Sequence, residues 1–231
     1  MNVQVKSPSS KSQASKPPSS QSLASKPPRR RQEDRSAATR ARILEACTQS
    51  LYEEGYGASS MVRVCERAQV SRGAMLNQFP TKADLMRMVM DNLYAQQVAF
   101  VNARLAVIDD PVERFRHLLD ATWEASNRPI GYAFLEILVG SRSDPALSTD
   151  FQDHMRGIVN QTWAIIEDHA QAAHLTLGPS ERDFILILSL TIRGMLIESL
   201  INPKVDPERV ILRLSELRDS ELLSGRLFNR S

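Results

Sequence analysis

The side chains with the most chemistry to offer are Arg72, Asn77 and Gln78, which come soon after Ser71 and run into Phe79-Pro80. An asparagine or glutamine amide presents a donor beside an acceptor, the pattern that matches an adenine edge. An arginine fork matches a guanine edge or a phosphate. Ser71 has the hydroxyl to cap a helix start and Pro80 stops the helix, so these polar groups ride on one short rod. Gly73 and Ala74 keep its first turn slim enough to approach a groove closely, and Leu76 is an apolar residue on the same rod. By themselves, polar side chains behind a serine cap also describe an ordinary solvated helix. The neighbouring elements separate the two readings.

Upstream, a helix of about two turns is expected to begin after Ser59 or Ser60 and to turn Met61, Val64, Cys65 and Ala68 inward. It is joined to the Ser71 helix by Gln69-Val70, with Val70, Met75 and Phe79 directed to the core. Two short helices with a tight turn and the small Ala68 near their crossing form a helix-turn-helix over about residues 58 to 79. Before it, Ile43, Leu44, Cys47 and Leu51 share one helix face from Ser36 to near Gly55, which suits a left-handed C-terminal position, with Tyr56 as a core plug.

Thr81 can cap a long helix to about Val107. Pro111, Pro129 and Pro145 stand where new helices would start, giving elements over 111–127, 131–141, 145–174, 179–201 and 207–223. The chain is therefore expected to be all-α with about nine helices. It divides into a tail over 1–35, a DNA-binding domain over 36–84, and a larger effector-binding and dimerisation domain over 85–225.

The bulk properties agree with that division. At 231 residues with 42% hydrophobic side chains the chain can bury a core without staples. Its net charge of +2 is unevenly spread: eight basic against two acidic residues over 1–35, seven against five over 36–90, and fourteen against twenty beyond. The basic end suits a polyanion. The segment from Ser9 to Pro18 returns from Ser19 to Pro28 with eight of ten positions identical, a low-complexity stretch expected to be disordered and to lead into Arg29-Arg30-Arg31. Such a tail either idles in solvent or adds nonspecific phosphate contacts. Cys47 and Cys65 fall at inward positions and read as small hydrophobes of a reducing compartment. No run of 18 residues is free of charge and no secretion signal is evident, so no membrane span and a cytoplasmic location are expected.

An enzyme would need parts that are not evident. His169 and His174 are five apart, off the i, i+4 face of zinc helices, and His117 and His154 have no partner spacing. No phosphate-binding glycine loop, nucleophile elbow or paired-cysteine knot occurs, so no catalytic residue, metal or cofactor is expected. The remaining alternative is an architectural helical protein whose basic tail holds nucleic acid without sequence choice.

Four segments together carry a resemblance: Arg42-Ile43-Leu44-Glu45-Ala46-Cys47, Glu54-Gly55-Tyr56, Ala68-Gln69-Val70-Ser71-Arg72-Gly73-Ala74 and Phe79-Pro80-Thr81-Lys82-Ala83-Asp84-Leu85. In spacing and type they resemble the tetracycline-repressor (TetR) family over about residues 38 to 86. The resemblance implies a homodimer on a near-palindromic double-stranded DNA operator, released by a small-molecule effector, with repression as the usual output. It also implies that Ser60, Arg72, Leu76, Asn77 and Lys82 stand at DNA-contacting positions, with Lys82 on a phosphate. Two departures matter. Gln69 replaces the usual turn glycine and must accept its backbone conformation, and Leu76 replaces the usual tyrosine and cannot donate a hydroxyl. The basic arm is expected to offset that loss.

For the dimer, Phe184, Leu188, Ile192, Met195 and Leu200 on the penultimate helix and Val210, Leu214 and Leu217 on the last are expected to build a four-helix contact. For the effector, Tyr94, Phe100, Trp123, Tyr132, Phe134, Met155 and Trp163 offer apolar or aromatic lining, with His117, Glu136 and Arg193 as polar anchors.

Overall fold

The computed structural model describes residue 1 and residues 29–224, apart from the side chains at 29–31, 148–150 and 223–224. The repeated basic segment through Pro28 and the end of the expected third domain lie outside the described residues. Those described form ten α-helices: α1 (Arg29–Ala58), α2 (Met61–Ala68), α3 (Arg72–Gln78), α4 (Lys82–Leu105), α5 (Pro111–Arg116), α6 (Leu118–Ser126), α7 (Pro129–Gly140), α8 (Pro145–Ala172), α9 (Pro179–Ile201) and α10 (Pro207–Ser224). A single 3-10 turn, Ser141–Ser143, joins α7 to α8. Proline occupies the first position of α5, α7, α8, α9 and α10, where its missing N–H costs nothing.

Two boundaries differ from expectation. α1 starts at Arg29 rather than Ser36, because Pro28 is the last helix breaker before Gly55 and the intervening Arg, Gln, Glu and Ala residues favour helix. The element expected over 111–127 is two helices that meet at His117. Phe115 packs with Ala170, Ala173 and Leu175, and Leu119 with Leu188 and Ile192; His117 between them has ψ −3°, off the helical value, which is where the helix is interrupted.

The α1–α3 unit, the head, and the remaining helices, the body, share one core. Ile43, Cys47, Leu51, Val64, Met75, Leu85, Met86 and Val89 are fully buried and continuous with Ala133 and Ile137 of α7 and Leu147 of α8. Burial pushes the Cys47 thiol up to about 12, so it packs as a hydrophobe and is a poor nucleophile. Burial raises Cys65 as well.

α10 is clamped to α5 and α6 by a partly buried charge network. Arg116 donates to both Asp219 oxygens at 3.2 and 2.6 Å, Arg218 donates to Asp219 at 2.8 Å and to Asp120 at 3.4 Å, and Ser215 donates to Asp120 at 2.9 Å. Burial by itself would raise the Asp219 carboxyl, but hydrogen bonds and charge from Arg116 and Arg218 outweigh it and hold the group at about 2. A carboxyl depressed on folding contributes stability above its unfolded value and loses it as pH falls toward the folded one. Asp219→Asn should therefore cost about 2 kcal/mol near neutral pH and flatten the loss of stability between about pH 4 and 2. Urea unfolding at a series of pH values checks this, and parallel acid limbs for the two proteins would refute it.

α9 is apolar on two sides. By length and composition it could cross a membrane, yet one flank is built into this fold: Leu188, Ile192, Met195 and Leu196 are buried against Leu119, Trp123 and Ile211. This corrects the expected contact surface. Leu188, Ile192 and Met195 serve the chain's own core, and Phe184, Val210 and Leu214 pack partly buried around it. Leu200 and Leu217 are exposed, as are Leu186, Ile187, Leu190, Ile197, Ile201 and Leu212.

Candidate functional site

The turn between α2 and α3 is held by local hydrogen bonds. Ser60 Oγ accepts the Arg63 N–H at 3.2 Å and Ser71 Oγ accepts the Ala74 N–H at 3.1 Å, so each helix has its expected cap. Gln69 takes the left-handed conformation, φ 53° and ψ 46°, and its N–H bonds back into α2. The departure from glycine is thus accommodated at the steric cost anticipated for a residue with a Cβ. Glu54 at the end of α1 receives Arg63 at 2.8 Å and Arg67 at 2.8 Å, while Arg67 also reaches Glu53 at 2.6 Å. The hydrogen bond from Arg63, with help from Arg67, holds the Glu54 carboxyl at about 2, so α2 stays tied to α1 throughout the physiological range.

On that frame α3 buries Met75 and exposes Arg72, Gly73, Leu76 and Asn77. Gln78 behaves differently. Its amide donates to Ser36 Oγ at 2.7 Å and accepts from Arg40 at 3.1 Å, so both ends are occupied in bracing α3 against α1. Ser60 and Ser71 are exposed as well, and their hydroxyl protons make no bond within the described residues.

Lys82 is occupied as well. Its ammonium donates to the Tyr56 carbonyl at 3.2 Å and sits 4.0 Å from the centre of the Tyr56 ring, directed at the joint between head and body. Tyr56 is the centre of that joint. Its N–H donates to Glu136 at 2.9 Å and its hydroxyl to Asp144 at 2.7 Å, and Gly140 lies flat against its ring. Burial, and then the Asp144 carboxylate, raise the Tyr56 hydroxyl, so it stays protonated and donates. Gly55 makes the turn possible with φ +80° as expected, although its ψ of 174° is extended rather than left-handed helical. Tyr56 was legible as a core plug, but its partners lie 80 and 88 positions away, where no local pattern points.

Behind the joint, α4, α6, α7, α8 and α9 line a partly open cavity of about 290 Å³. Phe134, Met155, Trp163, Tyr94 and Arg193 line it, as the sequence suggests. Five other expected members do not. Phe100 lies under the Arg128 guanidinium, His117 stands at the α5–α6 junction beside Asp120, Trp123 donates to Glu208 at 3.2 Å, and Tyr132 packs on Tyr52 and donates to Asn127. Glu136 faces Tyr56 instead. Each is an aromatic or polar residue at helical spacing whose side of the helix only the tertiary fold decides. Gln97, Asn102 and Thr162 line the cavity without any sequence signal for it.

The family described as bacterial regulatory proteins, tetR family, matches residues 43–89, from the second half of α1 to the first turns of α4. The HTH-type transcriptional regulator CymR of Pseudomonas putida is 28% identical over 175 residues, which cover 74% of this chain and 84% of that one. The regulator TtgR of Pseudomonas putida is 34% identical over 65 residues, 28% of this chain and 31% of its own length. In fold, the chain is similar to a TetR-family transcriptional regulator of Haemophilus influenzae, with a TM-score of 0.57 at 22% identity over 79% of this chain and 97% of that one. It is also similar to a regulator from Saccharomonospora viridis solved with choline, with a TM-score of 0.60 at 18% identity over 84% and 100% of the two chains.

Proposed function

Because this chain belongs to the tetR family of bacterial regulatory proteins, we propose that it is a cytoplasmic, homodimeric repressor released from a near-palindromic operator by a small molecule. It is a helix-turn-helix transcriptional regulator and not an enzyme. The observation that carries the finer reading is the exposed edge of α3, where Arg72, Leu76 and Asn77 project from a helix capped and braced on every other side. Asn77 reads a base edge, Arg72 a guanine or a phosphate, and Leu76 offers an apolar surface of the kind that meets a thymine methyl. The capping hydroxyls of Ser60 and Ser71 donate to phosphates, and Gly73 lets the backbone come close. Gln78 and Lys82 position this edge. Gln78 holds α3 on α1, and Lys82 links α4 to Tyr56.

The effector acts through elements shared by the cavity and the joint. On α7, Phe134, Leu135 and Leu138 face the cavity, while Glu136 and Gly140 face Tyr56. α4 carries about 30 Å of helix from Lys82 beside Tyr56 to Val101 and Asn102 in the cavity. A ligand that binds one arrangement of α4 and α7 more tightly shifts the spacing of the two heads and lowers operator affinity by that difference.

Asn77→Ala should weaken operator binding by about ten- to a hundredfold while leaving affinity for random duplex unchanged. Competition titrations at fixed salt measure both. Equal losses on the two DNAs would remove Asn77 from base reading. Equal wild-type affinity for every duplex would favour nonspecific binding by the basic tail instead.

A further inference from the structure

The lining of the cavity contains one formal charge. That charge is Arg193, on α9; no Asp, Glu, Lys or His contributes to the wall. Arg193 is exposed at the edge of this wall and, among the described residues, has no hydrogen bond or ion pair, so its guanidinium is available to a ligand. The hydroxyls in the wall do not compensate it. Thr122 donates to the Leu118 carbonyl at 2.7 Å, Thr162 to Ile158 at 2.9 Å and Ser189 to Ile185 at 3.0 Å, each back into its own helix.

Resting on the effector reading above, we infer that this cavity takes a compact apolar molecule carrying a carboxylate, whose charge is met by Arg193. The volume lies near the lower end of ligand sites and suits a small body. A carboxylate only accepts hydrogen bonds, and the arginine fork together with the Gln97 and Asn102 amides supplies donors. A cation finds the opposite conditions. No carboxylate meets it, Arg193 repels it, and the Trp163 ring, whose face would suit a quaternary ammonium, already carries the Arg182 guanidinium 5.3 Å from its centre.

The test uses the full-length protein and calorimetric titration with probes that share a skeleton: 3-phenylpropionate with its amide and amine, octanoate with its amide and amine, and choline. The acids should bind at least about tenfold tighter than the amides, with amines and choline weaker still. Arg193→Gln should abolish the gap between acid and amide while leaving amide binding in place. Val159→Trp, at a half-exposed wall position, should block acid and amide alike. Amides that match acids in the wild type, with both blocked by Val159→Trp, would refute the carboxylate and keep the cavity as the effector site. Binding that ignores Val159→Trp would instead refute the cavity. Absence of binding by every acid refutes the inference, as does tighter binding of an amine or choline. So does an Arg193→Gln protein that keeps its acid preference but falls to monomers, since Arg193 would then answer a carboxylate of a second copy.

Discussion

Gly140→Ala is expected to destabilise the protein by about 3 kcal/mol, lowering Tm by about 10 °C. A Cβ at position 140 would stand 2.1 Å from Cγ of Tyr56 and 2.4 and 2.6 Å from the two adjacent ring carbons, far inside contact distance. The ring cannot swing aside cheaply. Its hydroxyl is held by Asp144, its N–H by Glu136, and its face and carbonyl by Lys82. Relief requires either breaking those bonds or moving α7 off α1, and each lost buried hydrogen bond costs about 1 kcal/mol. Because α7 also lines the cavity, movement of α7 should also weaken the response of operator binding to ligand. Tyr56→Phe keeps the ring and removes one bond, so its cost should be smaller, about 1–2 kcal/mol. Gly57→Ala is the control: nothing lies within 4 Å of a Cβ there, and the change should stay within about 0.5 kcal/mol. Thermal unfolding of the three variants decides the matter. A Gly140→Ala protein that melts with the wild type would mean that Tyr56 is not wedged against α7.

The contrast between these positions shows what a linear sequence can carry. Ser60, Ser71 and Thr81 cap helices through their own side chains within three residues, so each start is legible locally, whereas the left-handed turn at Gln69 is suggested only by the resemblance, since glutamine itself does not signal it. Gln78 is the counterexample. Its type and position suit base reading, yet Ser36 and Arg40, 42 and 38 residues earlier, occupy it, and only the approach of α1 to α3 makes that pairing exist. The same limit governs the cavity. Phe134 and Trp123 are both aromatics on helices at the expected spacing, and one faces the void while the other reaches Glu208 on α10. Helical periodicity reports that a face is apolar, not what covers it.

Nowhere is that ambiguity larger than on α9, and it sets up the greatest functional effect expected of any substitution here. Leu188, Ile192 and Met195 form one apolar stripe, and Leu186, Leu190, Ile197 and Leu200 form another; the fold buries the first and leaves the second in solvent. An exposed apolar stripe on α9, with Leu212 and Leu217 also exposed on α10, is the kind of surface on which a second copy would pack. Replacing Leu190 and Ile197 together with glutamate places two charges per chain in that seam without touching the chain's own core. The variant should keep its helical content, sediment as a monomer, and lose operator affinity by at least about a hundredfold, because the second head no longer binds as part of the same molecule. Leu188→Glu should do something different, since that side chain is 6% exposed: it should destabilise the helical body itself. A double variant that stays dimeric would place the seam elsewhere. A monomer that grips the operator as tightly as the wild type would mean that one α3 edge suffices, and the spacing of two heads could then no longer be the quantity that the effector changes.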